Sequence, residues 1–152
     1  MQWKPNVTVA AIADHDNCFL VVEENADGLV VFNQPAGHLE NNESLIDAVK
    51  REVMEETAWE YEPEHIVGIY LYPNPHNEIV YLRVCFYGKC IKHYPENKLD
   101  DEIIRALWLS REELEKNSEA MRSPMVLGCI DDYIAGKNYP LDLLNHYLPE
   151  QY

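Results

Sequence analysis

Positive charge is scarce in this chain. Its 152 residues carry 12 Lys and Arg against 27 Asp and Glu, giving a net charge of −15 and a pI near 4.6. Such a surface argues against nonspecific nucleic-acid binding and against attachment to anionic membranes, because both need positive charge. It does not exclude small phosphate substrates, since a bound metal ion inverts the local field. Long apolar runs are also missing, and no segment approaches the length of a membrane span. The first residues, MQWKPNVTVAAIADHDN, lack the basic-then-apolar layout of a signal peptide. Cysteine is sparse: Cys18, Cys85, Cys90 and Cys129 form no CxxC pair and have no ligand-spaced histidine nearby. That argues against a zinc site and a disulfide framework and predicts buried thiols. A cytoplasmic location is the expectation. There is no Gly-x4-Gly-Lys-Ser/Thr loop, no Ser-His-Asp or Cys-His nucleophile motif, and no internal repeat or linker.

The length fits one domain spanning 1–152, and at this size roughly 70% of the unfolded surface can be buried. The composition, 47% hydrophobic and 26% charged, is that of an ordinary soluble globular protein. Asn6 to Ala13 and Cys18 to Glu23 are apolar runs separated by the turn cluster Asp14-His15-Asp16-Asn17, and they read as a hairpin. Leu29 to Asn33 reads as a third strand. Ile66 to Tyr72 and Ile79 to Cys90 are rich in β-branched and aromatic residues and read as strands, as does Ala106 to Leu109. Ser110 with Glu113 three residues on is a capping box. Ser123-Pro124 opens a final helix that closes near Gly136. Strands with intervening helices imply an α/β domain.

The most informative segment is GHLENNESLIDAVKREVMEETAW, Gly37 to Trp59. A helix is expected to start near Asn42 to Ser44, with Glu43 in its first turn, where a carboxylate suits the helix dipole. Leu45, Ile46, Val49, Val53 and Met54 give a 3.6-residue apolar stripe for the core, and Pro63 marks the break after the helix. Glu52, Glu55 and Glu56 then stand at i, i+3 and i+4, so their carboxylates share one face. Three like charges packed there repel unless a cation sits between them. A hard divalent ion, Mg²⁺ or else Mn²⁺, suits carboxylate oxygen.

This spacing resembles the signature of the Nudix family, Gly-x5-Glu-x7-Arg-Glu-U-x-Glu-Glu-x-Gly-U, with U a bulky apolar residue. Gly37, Glu43, Arg51, Glu52, Val53, Glu55, Glu56 and Trp59 match it, and Ala58 departs from it. Chance would align the polar and glycine positions on the order of once in 10⁴ such chains. The resemblance implies a mixed sheet sandwiched between helices, an α/β/α sandwich, with the signature as loop-helix-loop. It implies that Glu55 and Glu56 are the principal metal ligands and that Glu52 is a ligand or a general base. It also implies that Arg51 and Glu43 orient the segment by a salt bridge, and that Ala36 donates its carbonyl to the metal. Gly37 lets the backbone approach closely where a side chain would obstruct it. Ala58 would cost about 1 kcal/mol if the left-handed turn usual there is kept.

An additional acidic ligand is expected from the Asp100-Asp101-Glu102 cluster, with Glu102 favoured. Candidates for substrate contact are Arg83 for a phosphate oxygen, Phe32 and Tyr72 for stacking on a base or heterocycle, and His38 at the entrance of the signature. The plain alternatives are an acidic neighbour for Arg83, core positions for the aromatics and a solvent-facing histidine. The implied reaction is metal-dependent cleavage of a phosphoanhydride in a small nucleotide or pyrophosphate, by a monomer or homodimer. Gln34-Pro35-Ala36-Gly37-His38-Leu39-Glu40, Trp108-Leu109-Ser110, Arg122-Ser123-Pro124 and Tyr139-Pro140-Leu141 are similar to a narrower bacterial phosphatase branch of the family. That likeness implies nucleoside tri- and diphosphates and thiamine-pathway pyrophosphates as substrates. ADP-ribose, dinucleoside polyphosphates or oxidised nucleotides are the alternative, and a noncatalytic nucleotide sensor is a further one.

Overall fold

A computed structural model describes residues 2–149. Its strands are β1 (Asn6–Ile12), β2 (Asp14–His15), β3 (Cys18–Ala26), β4 (Leu29–Asn33), β5 (Ala36–His38), β6 (Trp59–Pro73), β7 (Val80–His93) and β8 (Ile103–Ser110). Its helices are α1 (Leu45–Thr57), α2 (Arg111–Lys116) and α3 (Met125–Ile134). One sheet runs β5-β1-β7-β6 and is mixed, because β1 and β7 are parallel while the other pairs are antiparallel. In the second sheet β3 is the centre, with β8 along one edge and β2 then β4 along the other.

The expected hairpin between β1 and β3 does not form. Asp16 and Asn17 take φ of 50° and 62°, the left-handed pair that a tight two-residue turn requires. That turn joins β2 to β3, whereas β1 crosses into the mixed sheet and pairs with β7 from Asn6↔Tyr81 to Ile12↔Tyr87. Leu29–Asn33 is a strand as expected, and it forms a hairpin with β3 through Asp27 and Gly28, both at positive φ. Pro63 does not end the helix. It lies buried inside β6 at a register shift, where a residue without an N–H is tolerated.

Helix α1 packs Ala48, Val49 and Val53 onto Val9, Ala11, Val84 and Phe86 of the mixed sheet. Each buried Val or Phe among them contributes roughly 1.5–3 kcal/mol. Helix α3 closes the opposite side, where Cys129 and Ile130 meet Ala10, Ile12, Phe19, Val21 and Cys85. The C-terminal stretch crosses the edge of β6, pairing Tyr139 with Ile66, and reaches the start of α1, where the Leu45 N–H donates to His146 Nε2 at 3.2 Å. The three layers hold the acidic face of α1 against the turn from β4 into β5. All four cysteines are free thiols, Cys85 and Cys129 fully buried.

Candidate active site

Ser44 is the N-cap of α1, its hydroxyl accepting from the Asp47 N–H at 3.0 Å. Glu43 therefore stands one residue before the helix and not in its first turn. There it accepts the Glu40 N–H at 2.8 Å and both Nε (3.0 Å) and NH2 (2.7 Å) of Arg51. This two-pronged pair holds the Glu43 carboxyl below its ordinary value, chiefly through the Arg51 hydrogen bonds. Arg51 NH2 also donates to the His38 carbonyl at 3.0 Å, and NH1 reaches Glu52 at 2.8 Å and Glu55 at 3.2 Å. One guanidinium thus ties the entrance strand to the helix.

Glu52 and Glu56 are only 7% and 4% exposed. Burial pushes Glu52 up to about 7 and Glu56 up to about 9, against hydrogen bonds that work the other way. The opposing bonds are from Arg51 to Glu52 and from the Ala36 N–H to Glu56 Oε1, at 2.9 Å. Glu55 is more open and is raised mainly by its own partial burial. Carboxylate oxygens of Glu52, Glu55 and Asp100 all lie within 4.8 Å of one another, as do those of Glu56, Asp100 and Glu102. Asp100 belongs to both groups. Its N–H donates to the Glu55 carbonyl at 3.0 Å, which fastens the loop before β8 to the helix end. Glu102, favoured from sequence, joins one group; Asp100 joins both and was not singled out. The signal that chooses it, a backbone bond to a residue 45 positions earlier, is absent from local sequence.

The residues fit a hard divalent cation. Burial disfavours the charged forms of Glu52 and Glu56, and with Glu55, Asp100 and Glu102 they form two groups of three oxygen donors that share Asp100. Gly37 adds a second sign of fit: a Cβ on it would run into the Glu52 carboxylate, so glycine leaves that carboxylate in its place beside the entrance strand. At the other end of the helix Ala58 keeps the left-handed conformation, φ 60° and ψ 24°, and its N–H closes onto the Met54 carbonyl at 3.0 Å. The turn is retained without glycine.

Three of the substrate-contact candidates, His38, Arg83 and Tyr72, fall on one face of the mixed sheet, and Phe32 lies on β4 of the other sheet. His38, Thr8, Arg83 and Tyr70 form one cross-strand row, and Asn6, Tyr81 and Tyr72 form the next. His38 is exposed, its Nε2 lying 3.4 Å from Asn6 Nδ2. Arg83 pairs with no carboxylate among the described residues. It is 4% exposed, donates to Gln34 Oε1 at 2.8 Å and Asn33 Oδ1 at 3.2 Å, and leaves Nε without a partner. Phe32 is half-buried against the α3-side core.

A NUDIX domain model matches residues 3–127. The chain belongs to the Nudix family. Phosphatase NudJ of Escherichia coli (strain K12) is 37% identical over 145 residues, 95% of this chain and 94% of the relative. A NUDIX hydrolase from Nitrosomonas europaea is 48% identical and superposes with a TM-score of 0.94, covering 95% of this chain and 98% of that one. The MutT protein from Methanosarcina mazei Go1, 24% identical with a TM-score of 0.72 over 90% of this chain and 99% of its own, shares the fold. This Nudix chain is a NudJ-like phosphohydrolase with the mixed-sheet α/β fold. Nudix enzymes act on small nucleotide or pyrophosphate substrates, typically with a divalent metal, and an acidic cluster suited to one is present here. Among the described residues no helix is long and apolar enough to cross a membrane.

Proposed function

We propose that this protein is a Mg²⁺-dependent phosphohydrolase that cleaves phosphoanhydride bonds of nucleoside tri- and diphosphates and thiamine-pathway pyrophosphates. The observation that carries the reading is the pair of overlapping acidic groups, Glu52-Glu55-Asp100 and Glu56-Asp100-Glu102, in which Glu52 and Glu56 are buried and hold their protons more tightly than an ordinary carboxyl. The likeness to phosphatase NudJ over 95% of the chain supports the substrate class. Glu52, Glu55 and Glu56, with Asp100 or Glu102 and the Ala36 carbonyl, would hold the ion; Mn²⁺ would fit the same oxygens. A bound divalent ion neutralises phosphate oxygens and acidifies water, the two demands of phosphoanhydride cleavage.

The rest is work for the chain's own groups. Arg51, gripping Glu43 and the His38 carbonyl, fixes the entrance strand against the helix. Glu52, where it is not itself a ligand, or the loop carboxylate Glu102 accepts the proton of the attacking water. The face bearing Arg83, Tyr72 and His38, with Phe32 beside it, takes the phosphorylated leaving group, Arg83 a phosphate oxygen and the aromatics the base or heterocycle. A monomer or homodimer in the cytoplasm is part of the same proposal. The test is incubation with a nucleoside diphosphate, a nucleoside triphosphate, thiamine pyrophosphate, ADP-ribose and a dinucleoside polyphosphate, with and without Mg²⁺. Inorganic phosphate released from the first three is expected; preferential cleavage of the last two would overturn the substrate class.

A further inference from the structure

Behind the acidic cluster lies a line of polar side chains that the metal site does not use. Glu24 on β3 is 4% exposed, and its Oε1 accepts Arg122 NH1 at 2.7 Å and Asn33 Nδ2 at 3.5 Å. Asn33 in turn accepts from Arg83, which also donates to Gln34. Gln34 donates to the Val126 carbonyl in α3 at 2.6 Å. The line therefore runs from β3 through β4 and β7 to α3. It holds two guanidinium groups and one carboxylate, so it carries net positive charge in a strongly acidic protein. A buried carboxylate is stabilised when a guanidinium is locked onto it.

The line abuts the metal site. Glu24 is among the charges that Glu56 feels. The N–H of the next residue, Asn25, donates to the Glu102 carbonyl at 2.9 Å. Arg122 is anchored at both levels. Its N–H donates to the Phe32 carbonyl at 2.8 Å, and Met121 bridges Phe32 in parallel, laying this stretch along β4. Its side chain is 46% exposed, and among the described residues only NH1 is engaged. Nε and NH2 remain a free donor edge, fixed in direction by Glu24. The other cations are differently occupied: Arg51 is saturated by Glu43, Glu52, Glu55 and His38, and Lys98 is a solvated partner of Asp101.

We propose that Arg122 is a phosphate-binding residue of this active site, holding the phosphoryl group next to the metal-bound one, and that Glu24 is its positioning residue. The proposal rests on the phosphohydrolase reading above and adds the group that recognises the polyphosphate chain itself. A planar fork with one edge locked on a buried carboxylate presents its other edge preorganised, the geometry that favours bidentate contact with phosphate oxygens.

The experiment is steady-state kinetics with ADP and Mg²⁺, alongside calorimetric titration of α,β-methylene-ADP into the same proteins. Arg122→Gln is expected to raise KM and weaken analogue binding about tenfold to a hundredfold, the loss of one or two charge-assisted hydrogen bonds. The change in kcat should be smaller, and the Mg²⁺-induced rise in Tm should equal that of the unaltered protein. Arg122→Lys keeps the charge without the fork and should fall between. Glu24→Gln, with Arg122 intact, should raise KM as well. Should Arg122→Gln fail to fold because Glu24 is left unpaired, Arg122→Gln with Glu24→Gln removes both charges and is measured instead. Unaltered KM and analogue affinity would overturn the proposal, as would a loss of the Mg²⁺ effect equal to the loss of binding. If the unaltered protein cleaves none of the nucleotides, the hydrolase reading fails, and analogue binding still decides the role of Arg122.

Discussion

Helices α1 and α3 flank the same sheet and bury opposite kinds of surface. Helix α3 buries Val126, Cys129 and Ile130, all apolar and with no polar residue among them. Helix α1 buries Ala48, Val49 and Val53 along one stripe and then Glu52, Glu56 and Thr57 at its end. The first kind of burial stabilises the fold through removed apolar area. The second opposes it, because a carboxylate away from water is driven to hold its proton. Thr57 is satisfied by a 2.6 Å bond to the Val53 carbonyl, but the two glutamates are not matched by enough cation. A sequence that keeps charge where the fold would prefer Leu marks the place where something other than folding is served.

The sharpest way to break this contrast is Glu56→Gln. It keeps the acceptor for the Ala36 N–H and removes the ligand charge. Mg²⁺-dependent phosphate release should fall on the order of a thousandfold, about 4 kcal/mol, with no loss of Tm in the absence of metal. Retained turnover would sink the ligand assignment. On the other helix, Ile130→Ala should behave in reverse, costing about 3 kcal/mol of stability through the cavity it leaves. Its kcat per folded molecule should stay within about twofold, read by denaturant melts beside active-site titration.

The contrast sharpens with pH. The folded-state values of about 7 for Glu52 and about 9 for Glu56 lie above the ordinary 4.5. Between those limits the folded chain holds protons that the unfolded chain has released, so metal-free stability should fall as pH rises from about 4.5 to about 9. Mg²⁺ binds the ionised form, so its stabilising effect should grow over the same span. Melting curves at pH 6 and 8.5, with and without Mg²⁺, check both signs. Smallest is Ala58→Gly: relief of the left-handed backbone and the lost buried methyl nearly cancel, so Tm should shift by less than the equivalent of about 1 kcal/mol.

What was legible in sequence was local. The apolar stripe of α1 and the Ser110–Glu113 capping box announce themselves within a few residues, and each stands where it was read. The i, i+3, i+4 spacing of Glu52, Glu55 and Glu56 likewise needs only helix geometry. Apart from Glu43, which falls just before the helix and not in its first turn, the misreadings needed distant partners. Nothing near β1 says that it will pair with a strand some 75 residues on and leave β3 to the other sheet. Pro63 looked like a helix stop because its bulge is made by β7. Asp100 outranks its acidic neighbours through its bond to Glu55, and nothing beside Glu24 marks it for the bond it accepts from Arg122, 98 positions away.

Position 37 carries a lesson for redesign. The entrance-strand backbone and the Glu52 carboxylate sit so close there that any side chain would push the carboxylate out of its place. Its neighbour His38 looks outward and is free to vary. An engineer wishing to alter which molecules this catalyst accepts can therefore repaint the rim residue by residue, provided that one bare spot beneath it stays bare.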